Sequence, residues 1–258
     1  MKYFIVDAFT DHHFSGNPAG VCLLEEPIAD EIMQNIAAEN NLAETAFILK
    51  QGNEYNLRWF TPEREFDLCG HATLASAYVL FQFVDKKAEH LVFSTQSGIL
   101  EVTRNDGLLE MDFPSRPPEQ IEVTELMENA LGVPIMEAHL SRDMILVLQT
   151  EKDVYEAVPD LDIVSKIPGC VNLIITAQGR EADFVSRYFT PGISIPEDPV
   201  TGSAHSSLIP FWAKRLGKEK LTAHQLSKRG GILYCQDKGD RVKISGNAIL
   251  YLAGEIYL

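Results

Sequence analysis

Glu44 is the carboxylate whose surroundings in the sequence best suit acid–base chemistry. It stands at the start of a predicted strand, 44–50, among small and apolar residues. A carboxyl group in such surroundings can have a raised pKa, and it can then act first as a general base and afterwards as a general acid. Spacing alone leaves a second interpretation open, in which Glu44 is a surface residue on an edge strand.

Two glycines each precede a segment rich in alanine and serine that is predicted to form a buried helix. Gly70 and His71 begin one of these helices, and Gly202 and Ser203 begin the other. Glycine allows close approach to the backbone, and the free N–H groups and dipole of a helix N-terminus favour a carboxylate or phosphate. The pattern predicts a binding site for a small anionic metabolite, although a plain turn into a helix would give the same pattern.

Four further side chains are candidates for a supporting role. Asp198 lies shortly before Gly202 and could orient a substrate or share its proton, but Asp-Pro is also common turn chemistry. The ring of His71 is predicted to lie near a bound ligand, unless it is a buried structural histidine. The thiol of Cys69, beside a helix N-terminus, is expected to have a lowered pKa, unless it is simply a small residue that fits. Asn17 begins a turn that could line the same site.

The charge and composition exclude several classes of function. With 22 basic and 37 acidic residues the net charge is −15, which disfavours nucleic acid and anionic membrane surfaces as partners. No apolar run reaches the roughly 20 residues of a membrane span, and the N-terminus lacks the features of a signal peptide. A cytoplasmic location is therefore expected.

Cofactor and metal motifs are also missing from the sequence. The four cysteines are scattered, with no Cys-x-x-Cys and no Cys/His pair at zinc-finger spacing, so no metal site is predicted. There is no dinucleotide-binding glycine motif, P-loop or serine-hydrolase elbow. We expect chemistry without a cofactor, which at a glutamate and a cysteine suggests proton transfer at an acidic carbon.

The chain repeats its own plan about 130 residues later. Residues 58–81 and 187–212 both begin with Arg-aromatic-Phe-Thr-Pro, pass through a polar loop and turn at a glycine into a weakly charged helix. This indicates an internal duplication, with two mixed sheets that each curl around a central buried helix, and a site between the halves is the default expectation. The predicted domains are 1–117 and 118–247, with a last strand, 248–258, that could join either half.

Periodicity places the remaining elements. One amphipathic helix is predicted over 30–40, and a helix that is apolar or small on every face runs from His71 to about Phe83. The predicted strands are 2–9, 18–24, 44–50, 55–61, 91–95, 98–104, 108–113, 136–140, 144–149, 171–177, 182–190, 221–228, 231–236 and 241–246.

Six segments, in this order along the chain, resemble the PhzF family of phenazine-biosynthesis proteins. They are residues 6–10, 16–21, 42–47, 58–62, 68–73 and 197–205. The resemblance implies an α+β fold like that of diaminopimelate epimerase, with two pseudo-symmetric domains, and commonly a homodimer. It also implies isomerisation of a small carboxylate such as trans-2,3-dihydro-3-hydroxyanthranilate, with Glu44 as the acid and base. The family's other site residues correspond to Gly70, His71, Asp198, Gly202 and Ser203.

One departure from the related epimerases narrows the mechanism. Those enzymes use two cysteines on opposite faces of the substrate, whereas here Cys69 matches the first and the second half offers no thiol. A proton shift by Glu44 alone is therefore the leading hypothesis. The alternatives are an epimerase or racemase that uses Cys69, and a binding or interaction protein with little catalysis.

Overall fold

The computed structural model of the protein describes residues 1–192 and 195–258. The chain forms two compact units, Met1–Asp112 with Ser245–Leu258, and Phe113–Ile244. Within the described ranges, no helix has the length and hydropathy that crossing a bilayer requires.

The first unit contains most of the strands of the first half and the last strand of the chain. Its elements are β1 (Lys2–Ala8), β2 (Asn17–Leu24), α1 (Asp30–Asn40), β3 (Glu44–Gln51), β4 (Glu54–Phe60), β5 (Glu65–Phe66), α2 (Gly70–Val79), a π-helical turn (Leu80–Val84), β6 (His90–Thr95), β7 (Gly98–Asn105), β8 (Leu108–Pro114) and β18 (Ala248–Glu255). All the helices and strands predicted for this half are present, to within one or two residues for the strands.

A mixed sheet forms the body of this unit. The strands β18, β1 and β2 pair antiparallel, β3 joins β2 in parallel, and β4 pairs antiparallel with β3. Next come β6, parallel to β4, and then β7 and β8 in antiparallel order. The last strand of the chain therefore joins the first half, with Lys2 opposite Glu255 and Ala8 opposite Ala248.

Helix α2 lies in the core of the first unit. Nine of its ten residues are buried, and it packs against β1, β2, β3 and β18. Its small side chains let the sheet approach the helix closely, and Thr73 and Ser76 donate their hydroxyl hydrogens to carbonyls four residues earlier. The prediction of a helix buried on every face is confirmed for α2, whereas the π-helical turn ends in the exposed Phe83 and Val84.

The second unit repeats this organisation, with two short helices in the place of α1 and a third between its first two strands. Its elements are β9 (Glu119–Ile121), α3 (Glu125–Leu131), β10 (Ile135–Leu140), β11 (Met144–Leu148), α4 (Glu151–Glu156), α5 (Leu161–Val164), β12 (Leu173–Gln178), β13 (Phe184–Phe189), β14 (Glu197–Asp198), α6 (His205–Leu216), β15 (Lys220–Gln225), β16 (Gly231–Asp237) and β17 (Arg241–Gly246). The short helices were absent from the prediction, although Thr124, Thr150 and Asp160 cap them by accepting backbone hydrogen bonds.

The order of strand directions is the same in the two units. In the second unit β9, β10 and β11 pair antiparallel, β12 is parallel to β11, β13 is antiparallel to β12, and β15 is parallel to β13. In its core, Trp212 of α6 stacks on Phe184 at 5.7 Å and donates its indole hydrogen to Thr176. The predicted mixed sheet around one buried helix is thus confirmed in each half.

An equivalent ion pair links a strand to the turn that follows it in each unit. Arg58 pairs with Glu65 at 2.6 Å, and Arg187 pairs with Glu197 at 2.7 Å. Each arginine also lies over the phenylalanine two residues later. The same guanidinium–carboxylate pair therefore holds the short strand, β5 or β14, that leads towards the buried helix.

Candidate functional site

Glu44 is the first residue of β3 and lies opposite Ala19 of β2. Helix α1 ends just before it, and Asn41 in the left-handed conformation reverses the chain into the strand. The carboxyl side chain is 17% exposed, so it is partly withdrawn from water but still reachable.

His71 and Cys69 lie beside this carboxylate. The His71 Nε2 atom is 3.1 Å from Glu44 Oε2, and the His71 Nδ1 atom is 3.5 Å from Cys69 Sγ. One ligand atom from each of the three side chains lies within 4.8 Å of the other two, and within residues 1–192 and 195–258 this is the only such group of His, Cys, Asp or Glu. The sequence predicted these residues separately, and the fold brings them together.

Two elements position this Glu44–His71–Cys69 cluster. Cys69 is the N-cap of α2 and His71 is the second helical residue, so their side chains leave the same end of the helix. Helix α2 packs against β3, which carries Glu44. The predicted binding residue Gly70 is the first residue of α2, and Asn17, fully buried, is the first residue of the neighbouring strand β2.

Gly20 lies on β2 and allows the neighbouring strand β3, which carries Glu44, to approach closely. A Cβ atom at Gly20 would lie 2.9 Å from Thr45 Oγ1, closer than real Cβ atoms come, and a tight 3.0 Å from the Tyr3 hydroxyl. Since Thr45 follows Glu44 directly, a side chain at Gly20 would displace the start of β3. The predicted turn at 17–20 is wrong, because these residues begin β2 and pair with β1, and the need for glycine at position 20 had no sequence signal.

The protonation states of the cluster follow from its burial and its charges. Burial lowers the pKa of His71, but Cys69 and Glu44 raise it by more, so this pKa lies well above its ordinary value. Burial raises the pKa of the Cys69 thiol, and the Glu44 carboxylate raises it further. The expected lowering of the Cys69 pKa by the helix N-terminus is therefore wrong, because desolvation of a thiolate outweighs the helix dipole.

Two buried polar atoms of the cluster are available to a ligand. Although Glu44 Oε2 and His71 Nε2 are within ion-pair distance, they are not aligned as a hydrogen bond, and neither has a hydrogen-bond partner within the part of the chain that the structure describes. Buried polar groups are normally hydrogen-bonded, so a donor and an acceptor left over side by side indicate a place for a polar ligand.

Asp198 is held in a hydrogen-bonded turn of the second unit. Thr201 donates its hydroxyl hydrogen to Asp198 Oδ2 at 2.5 Å. Gln225, from β15, donates its amide hydrogen to the Asp198 carbonyl at 2.8 Å and accepts the backbone N–H of Thr201, also at 2.8 Å. Sequence reasoning missed Gln225, since its contribution depends on the pairing of distant strands.

The helix after this turn begins later than predicted. Helix α6 starts at His205, and Gly202 and Ser203 belong to the turn before it, where their carbonyls accept hydrogen bonds from the amides three residues on. The prediction that Ser203 is the first helical residue is wrong, because these tight i to i+3 bonds replace the first α-helical turn.

The duplicated register identifies the counterparts of the cluster in the second unit. Phe60 lies opposite Thr45, and its counterpart Phe189 lies opposite Leu173, so Asn172 takes the place of Glu44. Its amide donates to the buried Asp143 at 2.9 Å. Aligning Gly202 with Gly70 places Thr201 at the position of Cys69 and Ser203 at the position of His71. The cluster of acid–base groups is thus present in one half only.

His205 is a structural histidine. It is fully buried, lies near the Phe184 ring, and its Nδ1 hydrogen bonds to the Thr201 carbonyl at 2.9 Å. Burial lowers its pKa to about 4, against the smaller opposing effect of that hydrogen bond. His205 therefore stays neutral in the folded protein and holds the turn that contains Thr201.

This burial predicts acid lability. Because the folded pKa of about 4 lies below the unfolded value of about 6.5, the unfolded chain binds more protons between these pH values. The contribution to stability is complete above pH 6.5 and is lost as the pH falls through this window, by about 2 kcal/mol at pH 5. In urea unfolding at pH 7.5 and 5.0, His205→Asn should lose less stability than the parent by that amount. Equal losses in both proteins would contradict the prediction.

Comparison with solved structures supports the fold. A predicted epimerase of Pseudomonas aeruginosa superimposes with a TM-score of 0.78 at 20% identity, over 100% of this chain and 99% of that chain. This similarity shows an epimerase-like fold, as the sequence predicted.

Sequence comparison identifies the family. A family model described as phenazine biosynthesis-like protein, PhzC-PhzF, matches residues 6–254. A Pseudomonas aeruginosa protein named as an uncharacterized isomerase is 48% identical over 259 residues, or 100% of this chain and 99% of that protein. The crystal structure of a PhzF-family protein from Enterococcus faecalis has a TM-score of 0.98 at 51% identity, over 100% and 99% of the two chains. The chain therefore belongs to the PhzC-PhzF family of phenazine biosynthesis-like proteins.

Proposed function

We propose that the protein is an isomerase that moves a proton within a small carboxylate-bearing metabolite, with Glu44 as the only acid and base. The observation that carries this proposal is the pair of buried, adjacent atoms, Glu44 Oε2 and His71 Nε2, that lack a hydrogen-bond partner within the described ranges. The relative named as an isomerase, which is 48% identical along its whole length, supports the class of reaction.

The proposed reaction is a proton shift without net oxidation. Glu44 removes a proton from an acidic carbon, and the electron pair of that C–H bond enters the conjugated system as the double bond moves. The protonated Glu44 then returns the proton to another carbon on the same face. His71 Nε2 lies 3.1 Å from Glu44 Oε2, and the positive charge of the imidazolium stabilises the carboxylate form of the base.

The asymmetry between the two units favours a single base. Racemases that work with two bases need an acid and a base on opposite faces of the substrate. In this chain the counterparts of Glu44, Cys69 and His71 are Asn172, Thr201 and Ser203, none of which exchanges protons near neutral pH. This difference between the units supports a mechanism in which one group both removes and returns the proton.

The proposed substrate is an anion, as the sequence suggested. Gly70 and Asn17 of the first unit are the proposed substrate-binding residues. In the second unit, the sequence-predicted residues Asp198, Gly202 and Ser203 lie in one turn, which hydrogen bonds from Thr201 and Gln225 hold in place. The family resemblance makes trans-2,3-dihydro-3-hydroxyanthranilate the first compound to test.

Exchange with deuterated solvent tests the proposal directly. The protein is incubated in D₂O with a panel of cyclic and acyclic amino and hydroxy acids that includes this compound, and the products are analysed by NMR and mass spectrometry. We expect one deuterium at a carbon of an isomerised product. Binding of panel members without exchange at any C–H position would instead support a binding protein.

Cys69→Ala separates the proposed isomerase from an epimerase that uses the thiol. Cys69 contacts His71, which favours the alternative, but its thiol is almost completely buried. We expect turnover within about tenfold of the parent, since Glu44 performs the transfer. Cys235→Ala, which alters a buried thiol of the second unit, is the matched control. If Cys69→Ala alone abolished turnover, the epimerase reading would replace ours.

A further inference from the structure

The Glu44–His71–Cys69 cluster has the donor atoms of a zinc site. It offers one sulfur, one imidazole nitrogen and one carboxylate oxygen, which are the three ligand types that Zn²⁺ takes in proteins. A site with three protein ligands leaves one position of a tetrahedral zinc ion for water or another small molecule. No sequence motif predicted this site, because the third ligand, Glu44, is 25 residues from Cys69 and lies on a strand.

The distances lie close to those that zinc requires. With Zn–N and Zn–O bonds of about 2.0 Å and Zn–S bonds of about 2.3 Å, tetrahedral ligand atoms lie about 3.3–3.6 Å apart. His71 Nδ1 and Cys69 Sγ are already 3.5 Å apart. The three ligand atoms lie within 4.8 Å of one another, so about 1 Å of side-chain movement brings them to tetrahedral spacing.

The backbone holds two of the three ligands before any metal arrives. Cys69 and His71 occupy the N-cap and second position of α2, a helix buried along almost its whole length. Folding has therefore already ordered the Cys69 and His71 side chains, and Glu44 is the ligand with freedom to move.

We propose that the cluster is a Zn²⁺-binding site, with Cys69, His71 and Glu44 as ligands. On binding, a Zn–S bond replaces the thiol S–H bond and a Zn–N bond replaces the imidazole N–H bond, and the released protons pass to solvent. Metal binding is independent of the reaction the protein performs. Its consequence, inhibition by capture of the base, rests on the proposed function of Glu44.

A second histidine–glutamate pair provides an internal control. His139 Nε2 lies 3.0 Å from Glu137 Oε2, much as His71 lies beside Glu44. Arg215 donates hydrogen bonds to both carboxylate oxygens of Glu137. The pair belongs to no three-ligand group within the described part of the chain, so it is not expected to hold zinc.

Binding of Zn²⁺ and Co²⁺ to the full chain tests the proposal. The protein is first treated with a chelator and a phosphine reductant, and bound metal is then measured by equilibrium dialysis and elemental analysis. We expect one tight equivalent of Zn²⁺, and a cobalt complex with thiolate-to-metal charge-transfer absorption. Cys69→Ser and His71→Gln should each weaken zinc binding at least about tenfold. His139→Gln and Cys235→Ser should bind like the parent.

Two outcomes would contradict the proposed zinc site. One is the absence of a tight equivalent in the parent protein, and the other is a cobalt spectrum that survives Cys69→Ser unchanged. Circular dichroism of each variant shows whether it is folded, so lost binding is not confused with unfolding. Deuterium exchange in the presence of chelator tests the isomerase separately, so failure of either proposal is visible without the other.

Discussion

Glu44→Gln is expected to lower turnover by about 10²–10⁴-fold, the range typical of removing a general base. The glutamine amide cannot accept the proton of the substrate carbon at neutral pH. The corresponding position of the second unit holds Asn172, which cannot act as a base. Deuterium incorporation from D₂O should be lost together with product formation, since both depend on the same transfer.

The same variant should fold and bind ligand nearly as the parent does. Glutamine has the shape of glutamate, and the backbone pairing of β3 with β2 does not involve the side chain. An unchanged urea midpoint and an unchanged affinity for a substrate analogue would show this. Glu39→Gln, which changes an exposed carboxylate on helix α1 of the same unit, is the control. Full activity in Glu44→Gln would show that Glu44 is not the base.

Arg187→Met is expected to destabilise the fold by about 2–3 kcal/mol, more than the loss of an exposed ion pair and less than the loss of a fully buried one. Arg187 is 13% exposed at its side chain and binds both oxygens of Glu197. It also donates to the carbonyls of Val154, Tyr155 and Ala157, which end helix α4. Methionine retains the apolar stem but leaves the carboxylate and the carbonyls without their donor.

Urea unfolding at pH 7.5 measures this loss. The double variant Arg187→Met/Glu197→Gln should recover part of it, because the unpaired buried charge is then gone. A loss below about 1 kcal/mol in the single variant would mean that water replaces the pair, as it does for exposed ion pairs.

Much of the architecture is encoded locally and could be predicted from the sequence. Strand and helix periodicity depends on which side chains face the core, and this information lies within each segment. The repeated Arg-aromatic-Phe-Thr-Pro segment revealed the duplication because both copies need the same arginine–glutamate pair. The short capped helices α3 and α4 had sequence signals at Thr124 and Thr150 that periodicity alone did not show.

The sequence also provided the residues of the site, but the tertiary structure decided which of them act together. Glu44 alone could have been a surface residue, and neither its distance to His71 nor the raised pKa of Cys69 follows from spacing. The pairing of the last strand with β1 and the start of α6 at His205 were likewise set by contacts between distant segments. Local patterns determine which side chains are available, whereas burial and proximity depend on packing between residues far apart in the chain.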